Sequence, residues 1–570
     1  MRLAHSIALA AAAAPSLLAY NVSPSPTFLN QALAFLLWGV FFALAARGAG
    51  DGPRFAWPRI ALAALGVLAL AALWSWIPGG LPGSLALSTL GTLAAAALAL
   101  ASGAAARDDA DESLFDAFCS AWVFAGVLNA AVALIQVFAP GLADGNLIAI
   151  SGIAGRAVGN LRQPNHLSSL LLWACIAVVA LAQLRRVDPK AALALLALFV
   201  FAVVLTASRT GLLSVLLLGL WGLADRRLAR PVRGLLLAAP LLYALAWWGM
   251  AQWATLSAHS FGGTARLAET DISGSRFGIW ANTLALIKAH PWAGVGWGEF
   301  NLAWTLSPFP GRPVAFFDHT HNLPLQLAVE TGLPAAALVM GLLVWAFGRA
   351  LLAGWRERSD DAAAAQRAAL MMVLMIGLHS LLEYPLWYAY FLLPACWALG
   401  FALRRAGGHA GGGARARRGL AVGGWLLVAG ALFSVWDYSR VSAIYVAEPG
   451  APPLATRVQR GQASVFFSHH ADYAATTSGV SVPGDPARAF DRASHYLLDT
   501  RLMIAWAKAL AEQGDVDAAR HVAARLREFR KADSESFFEP CPETAVPPGS
   551  GLPFQCELPP PLPWQHFLPK

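Results

Sequence analysis

Charge is scarce in this sequence: Asp, Glu, Lys and Arg make up 13% of its 570 residues, whereas 57% are hydrophobic. Soluble domains carry about 25% charged residues, and a soluble core could not use so much apolar surface. Cysteine is scarce too, with five residues. Two of them lie outside the apolar runs and have no neighbouring histidine pair, which argues against a metal site there. The composition excludes an ordinary soluble domain.

What the chain has instead is a series of apolar runs separated by short loops rich in Gly, Pro and charge. Each run has roughly 20 residues, enough to cross about 30 Å of hydrocarbon as an α-helix. We therefore predict an all-α polytopic membrane protein with about 12–13 transmembrane helices, embedded in a lipid bilayer. The predicted spans are 5–20, 30–46, 57–76, 84–103, 113–138, 167–184, 191–207, 209–224, 234–253, 333–352, 364–382, 386–403 and 419–435.

Arg and Lys separate between alternate loops, which is the signal that sets orientation. The cation-rich side is predicted to face the cytoplasm. The opposite, outer side then carries segments 139–166 and 254–332, the turn 383–385 and the tail after 436. The net charge of +8 is a topology signal on this interpretation, and no nucleic-acid partner is expected. The cytoplasmic cations are Arg47, Arg54, Arg59, Arg107, Arg185, Arg186, Lys190, Arg226, Arg227, Arg230, Arg233, Arg349, Arg356, Arg358, Arg404, Arg405, Arg415, Arg417 and Arg418.

We predict three parts: N-terminal transmembrane helices over 1–138, a transmembrane core over 139–435 that includes the outer loop 254–332, and a small helical domain over 436–570. The first apolar run follows Arg2 and has the alternative interpretation of a signal peptide, but no clear small-x-small cleavage site follows it. We expect a retained helix. Either choice leaves the orientation of the later spans unchanged.

The tail has the apolar spacing of helices. Residues 505–529 predict one helix, a turn at Gly514 and Asp515, and a second helix, as in a helix-pair repeat. Cys541 and Cys556 lie near its Pro-rich end, in a compartment where thiols oxidise. We expect a disulfide between them that holds the terminus in place. Recruitment of an acceptor and a purely structural plug both stay open as roles of the tail.

Polar residues gather at the end of the long outer loop, where 317–323 reads FDHTHNL. Asp318, His319 and His321 are costly to place beside an apolar helix without a use. Three interpretations stay open: a solvated loop end whose imidazoles cap the helix, a metal site, and a catalytic site. The metal interpretation is the weakest, because no second cluster of carboxylates or histidines offers the remaining ligands.

Two arginines lie where orientation gives no reason for a cation. Arg209 opens the eighth span within 206–211 (TASRTG), and Arg276 lies in the outer loop ahead of the turn 291–298 (PWAGVGWG). A guanidinium stays charged and donates in a two-pronged way to phosphate oxygens, as in a pyrophosphate. Taken alone, each arginine fits the binding of lipid headgroups equally well.

Together these residues resemble the O-antigen ligase and polymerase superfamily. The pattern is SRTG at 208–211, then Arg276 and HPWAGVGWGEF at 290–300, then His321 with Gly332 ten residues beyond Asn322. The likeness covers about 140–435. One departure is at 335, which is Ala where the ligase pattern has a second glycine; this weakens the likeness to the lipid A ligase branch.

Two further motifs resemble bacterial O-linked protein oligosaccharyltransferases of the pilin-glycosylating type. They are GNLRQPNH at 159–166 and HSLLEYPL at 379–386. A tail after the last span also fits that branch. The resemblance implies a GT-C-like fold in the bacterial inner membrane, with a long periplasmic loop, a helical periplasmic tail and an active site that faces the periplasm.

The resemblance also implies roles for individual residues. His321 would be the essential histidine and general base, and Arg209 and Arg276 would hold the pyrophosphate. Supporting residues of the substrate site would be Gln163, Asn165, His319 and Tyr384. The donor would be an undecaprenyl-pyrophosphate-linked oligosaccharide, transferred en bloc and with inversion to a Ser/Thr hydroxyl of an acceptor protein such as pilin. No cofactor and no metal are expected.

Two other functions stay open. With lipid A core or another lipid-linked chain as acceptor, the same chemistry would make an O-antigen ligase or polymerase. A transporter of polysaccharide or lipid-linked sugar is the more distant alternative. It would place polar residues near mid-membrane and often show related halves, and the sequence shows neither pattern.

Overall fold

The computed structural model describes residues 2–46, 57–107, 113–257, 259–264, 272–403, 413–480 and 486–568. Within these ranges the secondary structure is helical, and the β structure amounts to one bridge between Val546 and Glu557. The all-α fold class predicted from the sequence is confirmed. The predicted cytoplasmic cations Arg47, Arg54, Arg404 and Arg405 lie outside the described residues.

In the described part of the chain, nine helices are long and apolar enough to cross a membrane. They are Phe28–Ala45, Arg59–Trp76, Gly83–Ala106, Ser113–Phe138, Pro164–Gln183, Arg230–Ser257, Leu323–Arg356, Asp360–Ser380 and Ala414–Tyr445. Shorter apolar helices coincide with the remaining predicted spans: Arg2–Leu17, Pro189–Leu205, Arg209–Ala224 and Ala389–Leu403. The chain is a multi-pass membrane protein.

The chain divides into two compact units. The first comprises Met1–Leu65, Thr92–Thr270 and Gly341–Val435, and the second comprises Gly66–Gly91, Asp271–Met340 and Trp436–Lys570. The predicted boundaries near 138 and 435 follow position in the sequence and stay predictions. The compact units instead group segments that are far apart in the chain.

Helix Pro164–Gln183 is the centre of the first unit, because its whole apolar stretch is buried. It packs against Ser113–Phe138, Pro189–Leu205 and Asp360–Ser380. A helix that is apolar on every side has no face suited to water and takes the central place in a bundle. Helix Arg2–Leu17 also belongs to this core, since its alanines are buried against Ser113–Phe138, and small side chains allow such close approach.

The outer segment 254–332 contains more helix than its interpretation as a loop suggested. Helices Ile272–Ala289 and Phe300–Leu306 lie within it, and helix Leu323–Arg356 begins before its end. Leu323–Arg356 is interrupted at Gly332, which has φ 75° and ψ 164°. The predicted span from 333 is therefore the second part of a kinked helix.

The tail in the second unit is helical, and its described helices are Leu454–Gln462, Ser468–Thr477, Pro486–Ser494, Thr500–Glu512, Val516–Glu528 and Glu535–Phe538. The pair expected over 505–529 corresponds to Thr500–Glu512 and Val516–Glu528. Gly514 takes φ 89° in the turn between them, a backbone conformation that favours glycine. The side chain of Asp515 then caps the second helix by accepting from the Ala518 N–H. In the structure Cys541 and Cys556 form a disulfide.

Candidate active site

A buried polar cluster lies in the first unit where helices Pro164–Gln183 and Arg209–Ala224 begin. Gln163 is the N-cap of the first of these helices, and its side-chain oxygen accepts from the backbone N–H of Asn165 and of His166. A side-chain acceptor at this position satisfies amide groups that the helix itself leaves unpaired. The sequence-predicted Gln163 thus has a structural role at this helix end.

Asn165 connects this helix end to two other segments. Its Nδ2 donates to Oε1 of Glu383 at 3.0 Å, and its Oδ1 accepts from the Ser208 hydroxyl at 2.7 Å. All three residues are buried. Both ends of the amide are therefore used, and rotating it by half a turn would place its carbonyl oxygen against the acceptor oxygen of Glu383.

Ser208 is the N-cap of helix Arg209–Ala224. Its hydroxyl oxygen accepts from the Gly211 N–H at 3.0 Å, and the Ser168 hydroxyl lies 3.2 Å from it. Arg209 follows immediately, and its side chain is exposed, with no ion pair or hydrogen bond to any other described residue. Two helix N-termini, each with partial positive charge, thus lie beside a cation that is available to a ligand.

Histidine and tyrosine rings continue this cluster. His166 Nδ1 lies 3.2 Å from the Tyr390 hydroxyl, and its ring packs edge-on against Tyr388 with centroids 4.6 Å apart. His379 Nδ1 lies 2.8 Å from the Ser169 hydroxyl. The predicted Tyr384 stacks on Tyr388 at 6.1 Å. The aromatic side of the cluster is thus formed by a segment that follows Glu383 directly.

The first unit brings together the segments that carry Gln163, Asn165, Tyr384 and Arg209, which the sequence assigns to a site. The sequence assigns no role to Ser208, Glu383, His166 or His379. All four lie inside the motifs that carried the family resemblance. A polar residue at or near the end of an apolar run was the available signal, since such residues need a buried partner.

The second unit holds His321, His319 and Arg276. His321 has φ 55°, a left-handed backbone that is uncommon outside glycine and is found in tight, constrained loops. Its ring lies edge-on to Phe317 with centroids 5.5 Å apart. The loop therefore presents the imidazole from a fixed backbone.

Hydrogen bonds through Thr320 account for that fixed backbone. The Thr320 carbonyl accepts from Nε1 of Trp280 at 2.9 Å, and its N–H donates to Oε1 of Gln326 at 2.8 Å. Trp280 lies four residues after Arg276 on helix Ile272–Ala289, a spacing that puts both side chains on one face. The helix that carries Arg276 thus supports the loop that carries His321.

Asp318 and His319 contact each other, with Oδ1 and Nδ1 3.0 Å apart. Burial by itself raises the pKa of the Asp318 carboxyl, but His319 and, more weakly, His321 lower it, and the net result is a pKa below the usual range. Among the described residues no group of three or more His, Cys, Asp and Glu side chains has the arrangement of a metal site. The Asp318 and His319 side chains thus contact each other directly beside the loop end.

Asn301, in helix Phe300–Leu306, links the tail to the same loop. Its Nδ2 donates to the Phe317 carbonyl at 2.8 Å, and its Oδ1 accepts from the Leu498 N–H at 2.8 Å. A second link is the buried contact between Glu299 and His495, with Oε1 and Nδ1 2.6 Å apart. Sequence reasoning missed Asn301, because its partners lie in other segments. The tail and the histidine loop are parts of one packed structure.

The glycine-rich turn and Gly332 form a single structural feature. The N–H of Val295 donates to the Val329 carbonyl, and the N–H of Leu333 donates to the Pro291 carbonyl, both at 2.8 Å. A Cβ on Gly332 would lie 2.2 Å from the Trp292 carbonyl oxygen, so a side chain cannot fit. This close contact explains why the HPWAGVGWGEF stretch and Gly332 occur together.

Comparison with known proteins places three family models on consecutive parts of the chain. Residues 157–182 match a protein glycosylation ligase family, residues 193–340 match the O-antigen ligase family, and residues 367–537 match the C-terminal part of a virulence factor membrane-bound polymerase family. These ranges contain every residue that the resemblance assigned to the substrate site. The resemblance stated from the sequence motifs is confirmed.

Two curated relatives from Acinetobacter baylyi (strain ATCC 33305 / BD413 / ADP1) are similar to this chain. A general O-oligosaccharyltransferase is 27% identical over 261 residues, which are 43% of each chain. A ComP-specific O-oligosaccharyltransferase is 27% identical over 263 residues, which are 44% of each chain. The alignments thus span less than half the length of these relatives.

Proposed function

We propose that this multi-pass membrane protein transfers an oligosaccharide en bloc from undecaprenyl-pyrophosphate to a Ser/Thr hydroxyl of a periplasmic or pilin-like protein. Its similarity to the protein glycosylation ligase and O-antigen ligase families supports this proposal. The observation that carries the proposal is the exposed Arg209 beside two helix N-termini whose caps are joined through Asn165. The names of the relatives support a protein acceptor.

The arrangement around Arg209 suits an anionic donor. Helix N-termini attract phosphate groups through unpaired N–H groups and the helix dipole, and a guanidinium donates to two phosphate oxygens at once. Arg276 would supply the second cation. As the glycosidic bond to the carrier breaks, negative charge grows on the leaving pyrophosphate, and prepositioned donors stabilise that charge without a metal ion.

His321 would act as the general base. Its neutral imidazole takes the proton of the acceptor hydroxyl as the hydroxyl oxygen attacks the anomeric carbon. The bond from that carbon to the pyrophosphate oxygen breaks in the same displacement, and undecaprenyl-pyrophosphate leaves. A single displacement inverts the anomeric configuration. The left-handed backbone at His321 and the hydrogen bonds of Thr320 support a base held in one orientation.

The cation asymmetry of the loops supports an inner-membrane location with this site on the periplasmic face. The bilayer would then take the isoprenoid chain of the donor, and the outer segment with the tail would meet the acceptor. A lipid A core acceptor is the second candidate, because residues 193–340 match the O-antigen ligase family.

Comparing cells with and without this chain tests the acceptor. In the deletion strain, periplasmic and pilin-like proteins should lose their O-linked glycans, as measured by mass spectrometry. The pattern of lipopolysaccharide on a gel should stay unchanged. A plasmid that carries the wild-type chain should restore the glycans. Loss of the O-antigen ladder alone would reassign the protein as a ligase, and loss of neither product would refute both proposals.

A further inference from the structure

An open pocket of about 520 Å³ lies in the second unit. Ligand pockets in proteins usually measure roughly 300–1,000 Å³. This pocket is lined by two aromatic rings, two carboxylates, two cations and a hydroxyl. Its size and its lining both suit a small polar ligand.

The two cations are available to a ligand. Arg501 is exposed in the first turn of helix Thr500–Glu512, where a positive charge opposes the helix dipole and so gains nothing from the helix itself. Lys531 has its ammonium 5.8 Å from the centroid of the Phe316 ring. Neither side chain forms an ion pair or a hydrogen bond with any other described residue.

The two carboxylates are fixed in place. Asp499 accepts from the Tyr473 hydroxyl at 2.7 Å and caps helix Thr500–Glu512 through the Leu502 N–H at 2.9 Å. Asp533 Oδ1 accepts from the Thr500 hydroxyl at 3.1 Å. Burial and the neighbouring Asp499 raise the pKa of Tyr473, so its phenol remains a donor. Each carboxylate keeps lone pairs that a ligand can use.

Fixed acceptors next to unpaired donors and aromatic rings match the chemistry of a sugar. Each sugar hydroxyl both donates and accepts, and the C–H groups of the ring need apolar surface. Recurring modes of peptide recognition use a sheet edge, an apolar groove for a helix, an aromatic groove for a polyproline segment, a cluster of arginines, or a nest of backbone groups for a chain terminus. A polar pocket with charges of both signs corresponds to none of these.

The pocket is close to the predicted general base. Phe316 lines the pocket and lies five residues before His321 in the same loop. Five residues of chain span at most about 18 Å. A short oligosaccharide whose first sugar is at His321 therefore has a second polar site within reach.

We propose that this pocket binds a sugar of the transferred glycan that lies beyond the reducing-end sugar. The proposal rests on the proposed function, which supplies the glycan. Arg501 and Lys531 would donate to the hydroxyl or carboxylate oxygens of that sugar, and Asp499 and Asp533 would accept from its hydroxyls. The pocket would then select longer glycans over a single sugar.

The test uses the full chain in detergent and two donors, undecaprenyl-pyrophosphate carrying the complete glycan and the same carrier with one sugar. In the Arg501→Gln/Lys531→Gln double variant, KM for the complete donor should rise about tenfold or more, since a hydrogen bond to a charged group is worth about 1.5–3 kcal/mol. KM for the one-sugar donor and kcat should stay unchanged. The matched control is Arg460→Gln/Arg488→Gln, which removes two exposed tail cations outside the pocket.

Direct binding separates this proposal from the proposed function. Calorimetry with the oligosaccharide released by mild acid from the cells' lipid-linked pool should show binding to the wild type and to the control, and at least tenfold weaker binding to the pocket variant. Equal binding by all three proteins, or a KM increase for the acceptor protein instead of the donor, would overturn the sugar site. Absence of transfer by the wild type would refute the proposed function alone, because calorimetry still decides the pocket.

Discussion

Asn165 Nδ2 and Glu383 Oε1 are hydrogen-bonded at 3.0 Å, although the two residues are 218 positions apart. This bond joins the GNLRQPNH motif to the HSLLEYPL motif. Because Asn165 also accepts from Ser208, it connects both motifs to the residue that precedes Arg209. The two motifs that resemble protein oligosaccharyltransferases therefore meet beside Arg209, at the proposed pyrophosphate site.

Membrane orientation is open to a direct test with reporter fusions. A reporter fused after Lys570 should be active outside the cytoplasm, and one inserted between Arg404 and Arg418 should be active inside, because the cations concentrate on one side. Alkaline phosphatase and green fluorescent protein report the two compartments. The reverse pair of activities would place every proposed site residue on the wrong side.

Charge-conserving changes should distinguish a pyrophosphate site from a lipid contact. Arg209→Lys and Arg276→Lys should each lower transfer by about tenfold or more, because an ammonium cannot reproduce two-pronged donation to phosphate. Arg226→Lys is the control, since Arg226 is an exposed cation in a predicted cytoplasmic loop. Rates are measured with purified protein and synthetic donor. Normal rates in both lysine variants would favour contact with lipid headgroups.

Replacing His321 should remove the base and preserve the loop. His321→Asn is the informative variant, because asparagine tolerates the left-handed backbone at φ 55° better than alanine does. Transfer should fall about 10²–10⁴-fold while binding of the lipid-linked donor persists.

His319→Asn and excess chelator are the controls for the His321 experiment. The His319→Asn variant should lose less activity than His321→Asn, since His319 pairs with Asp318. Chelator should also lower the activity less than His321→Asn does, since no metal is expected. Comparable losses at His319 and His321, together with chelator sensitivity, would indicate a metal site instead. An active His321→Asn protein would remove this residue from the mechanism.

Two N-cap serines allow an effect on the site to be distinguished from an effect on the stability of the protein. Ser208→Ala and Ser359→Ala each remove an N-cap hydroxyl, at a cost of about 1 kcal/mol in the free energy of unfolding. Ser208→Ala alone should also lower transfer, because Ser208 bonds Asn165 and precedes Arg209. Thermal unfolding in detergent is measured beside the transfer rate. Equal losses of activity in both variants would make the Ser208 contact purely structural.

The disulfide should stabilise the tail. Cys541 and Cys556 are 15 residues apart, and a loop of that length contributes about 3 kcal/mol in the chain-entropy estimate. The Cys541→Ser/Cys556→Ser variant should therefore unfold at lower temperature and become more sensitive to protease in the tail. Reductant should shift the unfolding of the wild type to that of the variant and leave the variant unchanged. An unchanged wild type would contradict this role.

Sequence alone indicated where the apolar helices lie, because the hydrocarbon thickness demands about 20 apolar residues wherever the chain crosses. It also determined the helix pair at 505–529 and the motifs that carry the family resemblance, since both depend on residues close together in the chain. The ends of the helices and the helices within segment 254–332 were harder to predict from the sequence. Gly332 and Pro334 indicate a helix boundary locally. In the structure the helix continues beyond Gly332, and the turn at 291–298 bonds its backbone on both sides of the break.

The tertiary structure decided which polar residues become partners. Nothing in the sequence near Asn165 indicates that its side chain bonds Glu383 and Ser208. The same holds for Asn301, which joins Phe317 to Leu498. Such pairs form because a polar group buried between packed helices must find a partner, at a cost of about 1–3 kcal/mol if it does not. Which partner it finds depends on how helices distant in sequence pack, and no local pattern of residues encodes that packing.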